Sequence, residues 1–312
     1  MNAELSELRD AARAVLGAQG LAAAETAIWP QVHELGWLLV AVPEALGGLG
    51  QGPVGASAFH AEFGRRLGSS AYLAAMLGVD AVCASGVADA ADWVERLSTR
   101  EFVTASLADS ALQLSADGTQ LHGSVSAVVS ADRAHHLLAV SADGRWIGLV
   151  PLQQPGLRCV QRPTWDETRR LFDVQLDAVP LLSARVLAHG DAAVALNQRL
   201  AAQRDFALAA DALGGADALL QMTVDYLQTR RQFGRPLALF QALKHRCADL
   251  KAQVTAAEAL LADSLNRAGE ALDSAAAATL ARGAKSFACT AFARVAEEAL
   301  QLHGGIGMTA EH

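Results

Sequence analysis

The chain has 312 residues, of which 52% are hydrophobic, and its formal net charge at pH 7 is −8. A negative charge of this size argues against nonspecific binding to nucleic acid, which needs clustered positive charge. Aromatic residues make up only 5% of the chain, whereas alanine and leucine, which lose little on entering a helix, are abundant. The composition therefore favours a largely helical protein with a core large enough for two or three domains.

The N-terminus and the cysteines indicate the cellular compartment. The opening residues, MNAELSELRD, are acidic and polar, unlike a secretory signal peptide. No run of about eighteen apolar residues predicts a membrane span. The four cysteines lack the spacing of zinc ligands or redox pairs, and the adjacent His135 and His136 would point to opposite faces of a predicted strand. We therefore expect a cytoplasmic protein with free thiols, no membrane contact and no metal site.

Residues 1–103 are predicted to form an N-terminal helical domain. The apolar residues Leu5, Leu8 and Ala12 have helical spacing, and breaks rich in glycine, serine and proline separate the helical segments. One of these breaks, VPEALGGLG at residues 42–50, is most simply interpreted as a turn between helices.

Residues 104–185 have a different pattern and are predicted to form a middle antiparallel β domain. Short apolar runs are separated by turn signals, among them two copies of Ala-Asp-Gly. Phe172, Val174 and Leu176 alternate with polar residues, which is typical of a strand.

Residues 186–312 return to a helical pattern. Leu213, Leu220 and Leu227 repeat every seven residues, and later apolar residues continue a similar spacing. Three or four long helices with small-residue faces would pack as a bundle. The predicted fold class is therefore α+β, mostly α, in the order helices, β domain and helical bundle.

The segment RRQFGRP, residues 230–236, lies between two predicted helices. One interpretation is a helix C-terminus, in which Gly234 adopts the left-handed conformation, the arginines complement the helix dipole and Phe233 packs under the turn. The other adds an anionic ligand such as a diphosphate, because guanidinium groups match phosphate oxygens in pairs. The two interpretations are compatible.

The segment QLHGGIG, residues 301–307, places three glycines within four positions. An ordinary helix end explains it, because glycine permits backbone conformations that other residues avoid. A cofactor that passes over exposed backbone amides, with Gln301 as a hydrogen-bonding partner, is the alternative.

Taken together and in this order, the segments GWLLVAVPEALGGLG, YLQTRRQFGRPLALFQALKHRCADL and LQLHGGIG resemble the acyl-CoA dehydrogenase family. The resemblance covers nearly the whole chain. It implies an N-terminal helical domain, a middle antiparallel β domain and a C-terminal four-helix bundle. It also implies FAD as cofactor and assembly as a dimer of dimers.

The resemblance also implies which residues bind the cofactor. The RxQFG turn of the family approaches the flavin nucleotide of a neighbouring subunit, and a later glutamine lies nearby. The QxxGGxG segment lines the adenosine end. The matching residues of this chain are Arg230, Gln232, Phe233, Gln241, Gln301, Gly304 and Gly305.

The implied reaction removes a proton α to an acyl-CoA thioester and transfers a hydride from the β carbon to FAD. The electrons then pass to an electron-transfer acceptor. A carboxylate takes the proton, yet the commonest glutamate of the family would lie beyond His312. A second group of the family has its base 22 residues before the tyrosine equivalent to Tyr226, where this chain has Arg204. Asp205 and Asp211 are the candidates that remain.

The β domain departs from the family pattern as well. The Gly-Ser-Asp turn corresponds to residues 106–110 and the flavin-facing stretch to residues 128–131, where the expected aromatic residue is missing and Ser130 could offer a hydroxyl. These losses resemble the short partner subunit of heteromeric acyl-CoA dehydrogenases that act on steroid side chains. Three hypotheses follow: a complete enzyme, a non-catalytic partner that clamps FAD for a second subunit, and a flavin-free scaffold.

Overall fold

The computed structural model describes residues 3–68, 71–106, 110–166 and 168–309. Five helices come first and three long helices come last, with strands between them. The helices are α1 (Ala3–Gln19), α2 (Glu25–Glu34), α3 (Gly52–Arg66), α4 (Tyr72–Ser85), α5 (Ala90–Thr99), α6 (Asp191–Thr229), α7 (Gln241–Ala268) and α8 (Ala275–His303). In the part of the chain that is described, no helix is both long and apolar enough to cross a membrane.

The strands between these helices form two four-stranded sheets, and a short hairpin follows α6. The strands are β1 (Val103–Ala105), β2 (Gln113–Leu114), β3 (Gln120–Val129), β4 (His136–Val140), β5 (Trp146–Pro151), β6 (Leu157–Arg162), β7 (Leu171–Pro180), β8 (Arg185–His189), β9 (Arg231–Gln232) and β10 (Arg235–Pro236). One sheet has the order β1-β4-β5-β8 and the other β2-β3-β7-β6. The α+β fold with mostly helical content, predicted from the sequence, is confirmed.

The pairing of β1 with β4 differs from the prediction of antiparallel strands. Val103 pairs with His136 in a parallel register, whereas the other neighbours in both sheets run antiparallel. The chain leaves the first sheet after β1, forms β2 and β3 in the second sheet, and returns to β4 in the same direction. The predicted strand with alternating apolar residues is confirmed, because Phe172, Val174 and Leu176 of β7 are all buried.

The core of the N-terminal helices is built from aromatic residues of α3 and α4. Phe59 and Phe63 lie one turn apart on α3, and the ring of Phe63 stacks on Tyr72 with 4.7 Å between centroids. The Tyr72 hydroxyl donates a hydrogen bond to the carbonyl of Trp37 at 3.0 Å. This cluster holds α3, α4 and the backbone of Trp37 together.

The long helix α6 packs against α7 and α8, and α3 lies along its other side. The crossing of α3 and α6 is unusually close, because glycines face backbone atoms there. A Cβ atom on Gly64 would lie 1.9 Å from the Asp211 carbonyl oxygen, and one on Gly214 would lie 1.8 Å from that of Ala61. The two backbones therefore touch, and this contact fixes the position of Asp211 against the N-terminal helices.

Candidate functional site

A tight hairpin follows α6. Gln232 pairs with Arg235 across it, and the two loop residues, Phe233 and Gly234, have φ angles of 51° and 76°. Positive φ at both central residues is the signature of a type I′ turn. Gly234 is thus left-handed, but in a hairpin, because α6 ends at Thr229. The expectation that Phe233 packs under the turn is wrong: its side chain is 88% exposed.

The hairpin holds its arginines by different contacts. The Arg235 guanidinium lies 4.0 Å from the centre of the Phe240 ring, and Arg231 donates to the Gly234 carbonyl at 3.4 Å. Arg230 is exposed, and its guanidinium has no hydrogen bond or salt bridge to any described residue. The Arg230 backbone is nevertheless fixed, since its N–H donates to Tyr226 and its carbonyl accepts from Leu237. Arg230 therefore presents a free cation on an ordered support.

The C-terminal end of α8 lies against the same end of α6. The rings of Tyr226 and His303 stack at 4.6 Å, and the Tyr226 hydroxyl donates to the His303 carbonyl at 3.2 Å. Gly304 ends α8 with φ at 64°, and no atom lies within 4 Å of a Cβ built on Gly305. The backbone at Gly304 and Gly305 is therefore open to a neighbouring molecule.

The structure brings the seven residues expected to bind the cofactor to one end of the bundle, where α6 ends, α7 begins and α8 ends. Each of them is exposed. Together they offer a guanidinium group, side-chain amides, an aromatic ring and bare glycine backbone. Guanidinium and amide donors match phosphate oxygens, and an aromatic ring can cover a planar group. This set of donors fits a dinucleotide such as FAD.

The two carboxylates expected to act as a base lie elsewhere on α6. Asp211 precedes Arg230 by nineteen residues, which is about 28 Å along a helix. Asp211 borders a cavity of about 370 Å³ between α3, α4, α6 and the start of β7. Burial raises the pKa of the Asp211 carboxyl, and the nearby Arg169 guanidinium opposes that rise.

Arg169 is the site residue that the sequence did not reveal. Its Nη2 lies 3.9 Å from Oδ2 of Asp211, and both residues line the cavity. Arg169 belongs to an irregular segment that precedes β7, so no helical or strand periodicity relates it to α6. Only the fold brings the two residues together.

A histidine also lines this cavity. The His60 side chain is buried, and its Nε2 lies 3.4 Å from the sulfur of Met76. Burial lowers the pKa of His60 to about 3, so the ring is neutral at physiological pH. His60 thus contributes a neutral, mostly apolar wall to the cavity.

Asp205 has quite different surroundings. Its buried carboxylate accepts a hydrogen bond from Lys285 Nζ at 2.7 Å, and Arg204 Nε lies 3.3 Å away. Lys285 belongs to α8, so the pair connects two helices inside the bundle. The structure does not place Asp205 in the cavity beside Asp211.

The flavin-facing role considered for Ser130 is contradicted by its contacts. The Ser130 hydroxyl is buried and donates to Glu25 Oε2 at 2.6 Å. Burial raises the pKa of Glu25, and the bond from Ser130 opposes the rise. The side chain of Ser130 is therefore committed to α2. Of the other segment considered, residues 107–109 lie outside the described part of the chain. No group of three potential metal ligands occurs among the described residues.

Comparison with known proteins identifies the family. The model of the acyl-CoA dehydrogenase N-terminal domain matches residues 2–101, and that of the C-terminal domain matches residues 192–312. Acyl-CoA dehydrogenase IpdE2 of Mycobacterium tuberculosis is 34% identical over 281 residues, which are 90% of this chain and 75% of that protein. IpdE2 of Mycolicibacterium smegmatis is 39% identical over 185 residues, 59% of this chain and 51% of that protein.

A solved structure supports the same family assignment. The Tcur3481-Tcur3483 steroid acyl-CoA dehydrogenase, solved as a variant, superimposes with a TM-score of 0.84 and 28% identity, covering 99% of this chain and 89% of that one. The chain belongs to the acyl-CoA dehydrogenase family. It is related to subunits of steroid acyl-CoA dehydrogenases, within a family of oxidoreductases that act on CH–CH bonds.

Proposed function

We propose that this chain is a subunit of a heteromeric, FAD-dependent acyl-CoA dehydrogenase that introduces an α,β double bond into an acyl-CoA thioester. A second acyl-CoA dehydrogenase subunit completes the enzyme, as a dimer of dimers, and the electrons pass to an electron-transfer acceptor. The observation that carries the proposal is the meeting of the RRQFG and QLHGG segments at one exposed end of the bundle.

Exposure of the cofactor residues supports a site that is shared between chains. A dinucleotide bound within one chain would be flanked by buried donors, whereas all seven residues here face outward. Phe233 is 88% exposed although it occupies a left-handed conformation that is uncommon for bulky residues. Exposed aromatic residues on ordered supports are typical anchors of interfaces. The similarity to the Tcur3481-Tcur3483 steroid acyl-CoA dehydrogenase, whose name joins two proteins, also supports a site shared between chains.

Each residue at this end has a part in holding the cofactor. Arg230 pairs with the diphosphate, Gln232, Gln241 and Gln301 donate to its polar groups, and Phe233 covers a flat face. The backbone at Gly304 and Gly305 allows the nucleotide to approach closely. FAD, when bound, supplies the hydride acceptor, and this chain orients it and excludes water from its surface.

A second candidate is a complete enzyme that uses Asp211 as its base. The observation in its favour is the cavity beside Asp211, together with a carboxyl pKa raised by burial, as general bases commonly show. Asp205 is less suited to this role, because it would first have to give up its hydrogen bond to Lys285. Under this candidate, Asp211→Asn should abolish turnover of every acyl-CoA by the chain alone.

Flavin retention tests the proposal directly. The chain is purified alone and together with a longer family member from its own genome, and bound flavin is measured by absorbance. Arg230→Ala should lower the affinity for FAD roughly tenfold, because a charge-assisted hydrogen bond is removed. Arg158→Ala, which removes an exposed arginine of β6, is the matched control and should leave the affinity unchanged.

The outcomes separate the alternatives. Flavin that binds only in the presence of the second subunit supports the shared site. Turnover by the chain alone would instead favour the complete enzyme. A colourless protein under both conditions would leave only the flavin-free scaffold. Equal flavin affinity of Arg230→Ala and the unchanged protein would contradict the role of the bundle end.

A further inference from the structure

The wall of the cavity beside Asp211 is largely apolar, and its polar groups are the neutral His60 ring and one charged pair. Its volume is about 370 Å³, large enough for a compact acyl group. The apolar part is formed by residues of α3, α4 and α6 and of the paired strands β3 and β7. These residues include Phe63, Tyr72, Leu73, Val129, Leu171 and Leu208.

The charged pair is formed by Arg169 and Asp211. Their closest nitrogen and oxygen are 3.9 Å apart, which is too long for a direct hydrogen bond. Among the described residues, neither side chain has another hydrogen-bond or ion-pair partner. The Arg169 side chain is 40% exposed and that of Asp211 32%. Both therefore keep hydrogen-bonding capacity that a molecule in the cavity can use.

The separation of the two groups selects the kind of atom that fits between them. An oxygen about 2.8 Å from each of two atoms that are 3.9 Å apart makes an angle of about 90° between them, which a hydroxyl tolerates. A hydroxyl can accept a hydrogen bond from the guanidinium and donate one to the carboxylate. A ketone could only accept, and would leave Asp211 without a partner. A carboxylate would be repelled by Asp211, and an ammonium group by Arg169.

We propose that Arg169 and Asp211 together bind a hydroxyl group carried by the acyl part of the substrate. The inference rests on the proposed function, because it requires an acyl-CoA that places its acyl group in this cavity. It assigns Asp211 to substrate recognition. A base at Asp211 would be needed for every substrate, whereas a recognition residue matters only for hydroxylated ones.

Matched acyl-CoA probes test the proposal. The complex with the second subunit is titrated calorimetrically with 3-cyclohexylpropanoyl-CoA, with its 3- and 4-hydroxy derivatives, and with the corresponding ketones. At least one hydroxy derivative should bind roughly tenfold more tightly than the unsubstituted probe and than its own ketone, because hydrogen bonds to charged groups are among the stronger ones. Arg169→Gln and Asp211→Asn should each remove this preference, so that the hydroxy derivative binds no more tightly than the unsubstituted probe.

The neighbouring arginine provides the control. Arg170 belongs to the same segment, but its side chain pairs with Asp132 and does not line the cavity. Arg170→Gln should therefore retain the preference for the hydroxy derivative.

Each outcome bears on one claim. Binding of all probes with equal affinity would overturn this inference and leave the proposed function standing. A preference that survives in Arg169→Gln, or that the ketones share, would also overturn it. Failure of every acyl-CoA to bind the complex would contradict the proposed function itself.

Discussion

The bundle end and the cavity beside Asp211 lie on the same helix, α6, but they are built in opposite ways. The bundle end carries contiguous sequence motifs whose side chains face outward. The cavity is enclosed by elements from distant parts of the sequence and has one loose charged pair in its wall. The two regions can be kept under separate structural constraints, since about 28 Å of helix separates them.

The close crossing of α3 and α6 is the feature on which the cavity depends most. A methyl group on Gly214 would meet the Ala61 carbonyl at 1.8 Å, so Gly214→Ala must push the helices apart. We expect a loss of about 3 kcal/mol in the free energy of unfolding, as for other overpacked cores. Urea denaturation measures it. The bundle end should keep its flavin affinity if the two regions are independent.

A glycine on α8 supplies the control for this prediction. Nothing lies within 4 Å of a Cβ on Gly283, so Gly283→Ala should be neutral or stabilise the protein by up to about 1 kcal/mol, as alanine favours helix. If Gly214→Ala were as harmless as Gly283→Ala, the helices would not be in contact as described.

The bundle end was far easier to predict from the sequence than the cavity. Arg230, Gln232 and Phe233 stand in one short segment, and Gln301 and Gly304 in another, so the resemblance to the family could select them residue by residue. The hairpin itself was missed, because a single glycine after a long helix is equally typical of a helix end.

The cavity could not be predicted because its parts are related only in three dimensions. Arg169 and Asp211 are 42 positions apart, and Arg169 lies in an irregular segment without periodicity. The parallel pairing of β1 and β4 was missed for a similar reason, since the strands between them belong to the other sheet. Helix and strand content follows local pattern, whereas such contacts follow the way the elements pack.

The second prediction separates the two aspartates of α6. Lys285→Ala leaves the buried carboxylate of Asp205 without its closest cation. We expect a loss of about 2 kcal/mol in the free energy of unfolding, less than for a fully buried pair, because Lys285 is partly exposed. The double variant Asp205→Asn/Lys285→Met should recover most of this loss. If Lys285→Ala instead lowered the turnover of acyl-CoA without lowering the free energy of unfolding, Asp205 would again be a candidate for the base.

The third prediction concerns pH. The pKa of Asp211 is raised in the folded chain, so the native state binds a proton more readily than the unfolded state there. Stability is therefore lost as pH rises through the window between the ordinary aspartate pKa and the raised one. Asp211→Asn should raise the melting temperature at pH 7, and the gain should vanish below that window. The pKa of Glu25 is also raised in the folded chain, so both groups contribute to the pH dependence of the unchanged protein. The melting temperature of the unchanged protein is therefore subtracted from that of Asp211→Asn at each pH. A gain that does not depend on pH would show that the raised pKa of Asp211 is not its cause.

The smallest expected effect tests whether the bundle end is shaped for a partner. Phe233 holds a left-handed conformation in a type I′ turn, where asparagine followed by glycine is the preferred pair. Phe233→Asn should therefore stabilise the isolated chain by about 0.5 kcal/mol, because relief of the backbone strain outweighs the lost edge contact with the Phe240 ring, whose centre is 6.0 Å away. The same change should weaken assembly with the second subunit and lower its flavin content, measured by analytical ultracentrifugation and absorbance. Leu182→Asn, which removes an equally exposed apolar side chain from the β region, should affect neither. If Phe233→Asn assembled normally, the exposed ring would have no role in the interface, and the strained hairpin would have to be explained within the chain itself.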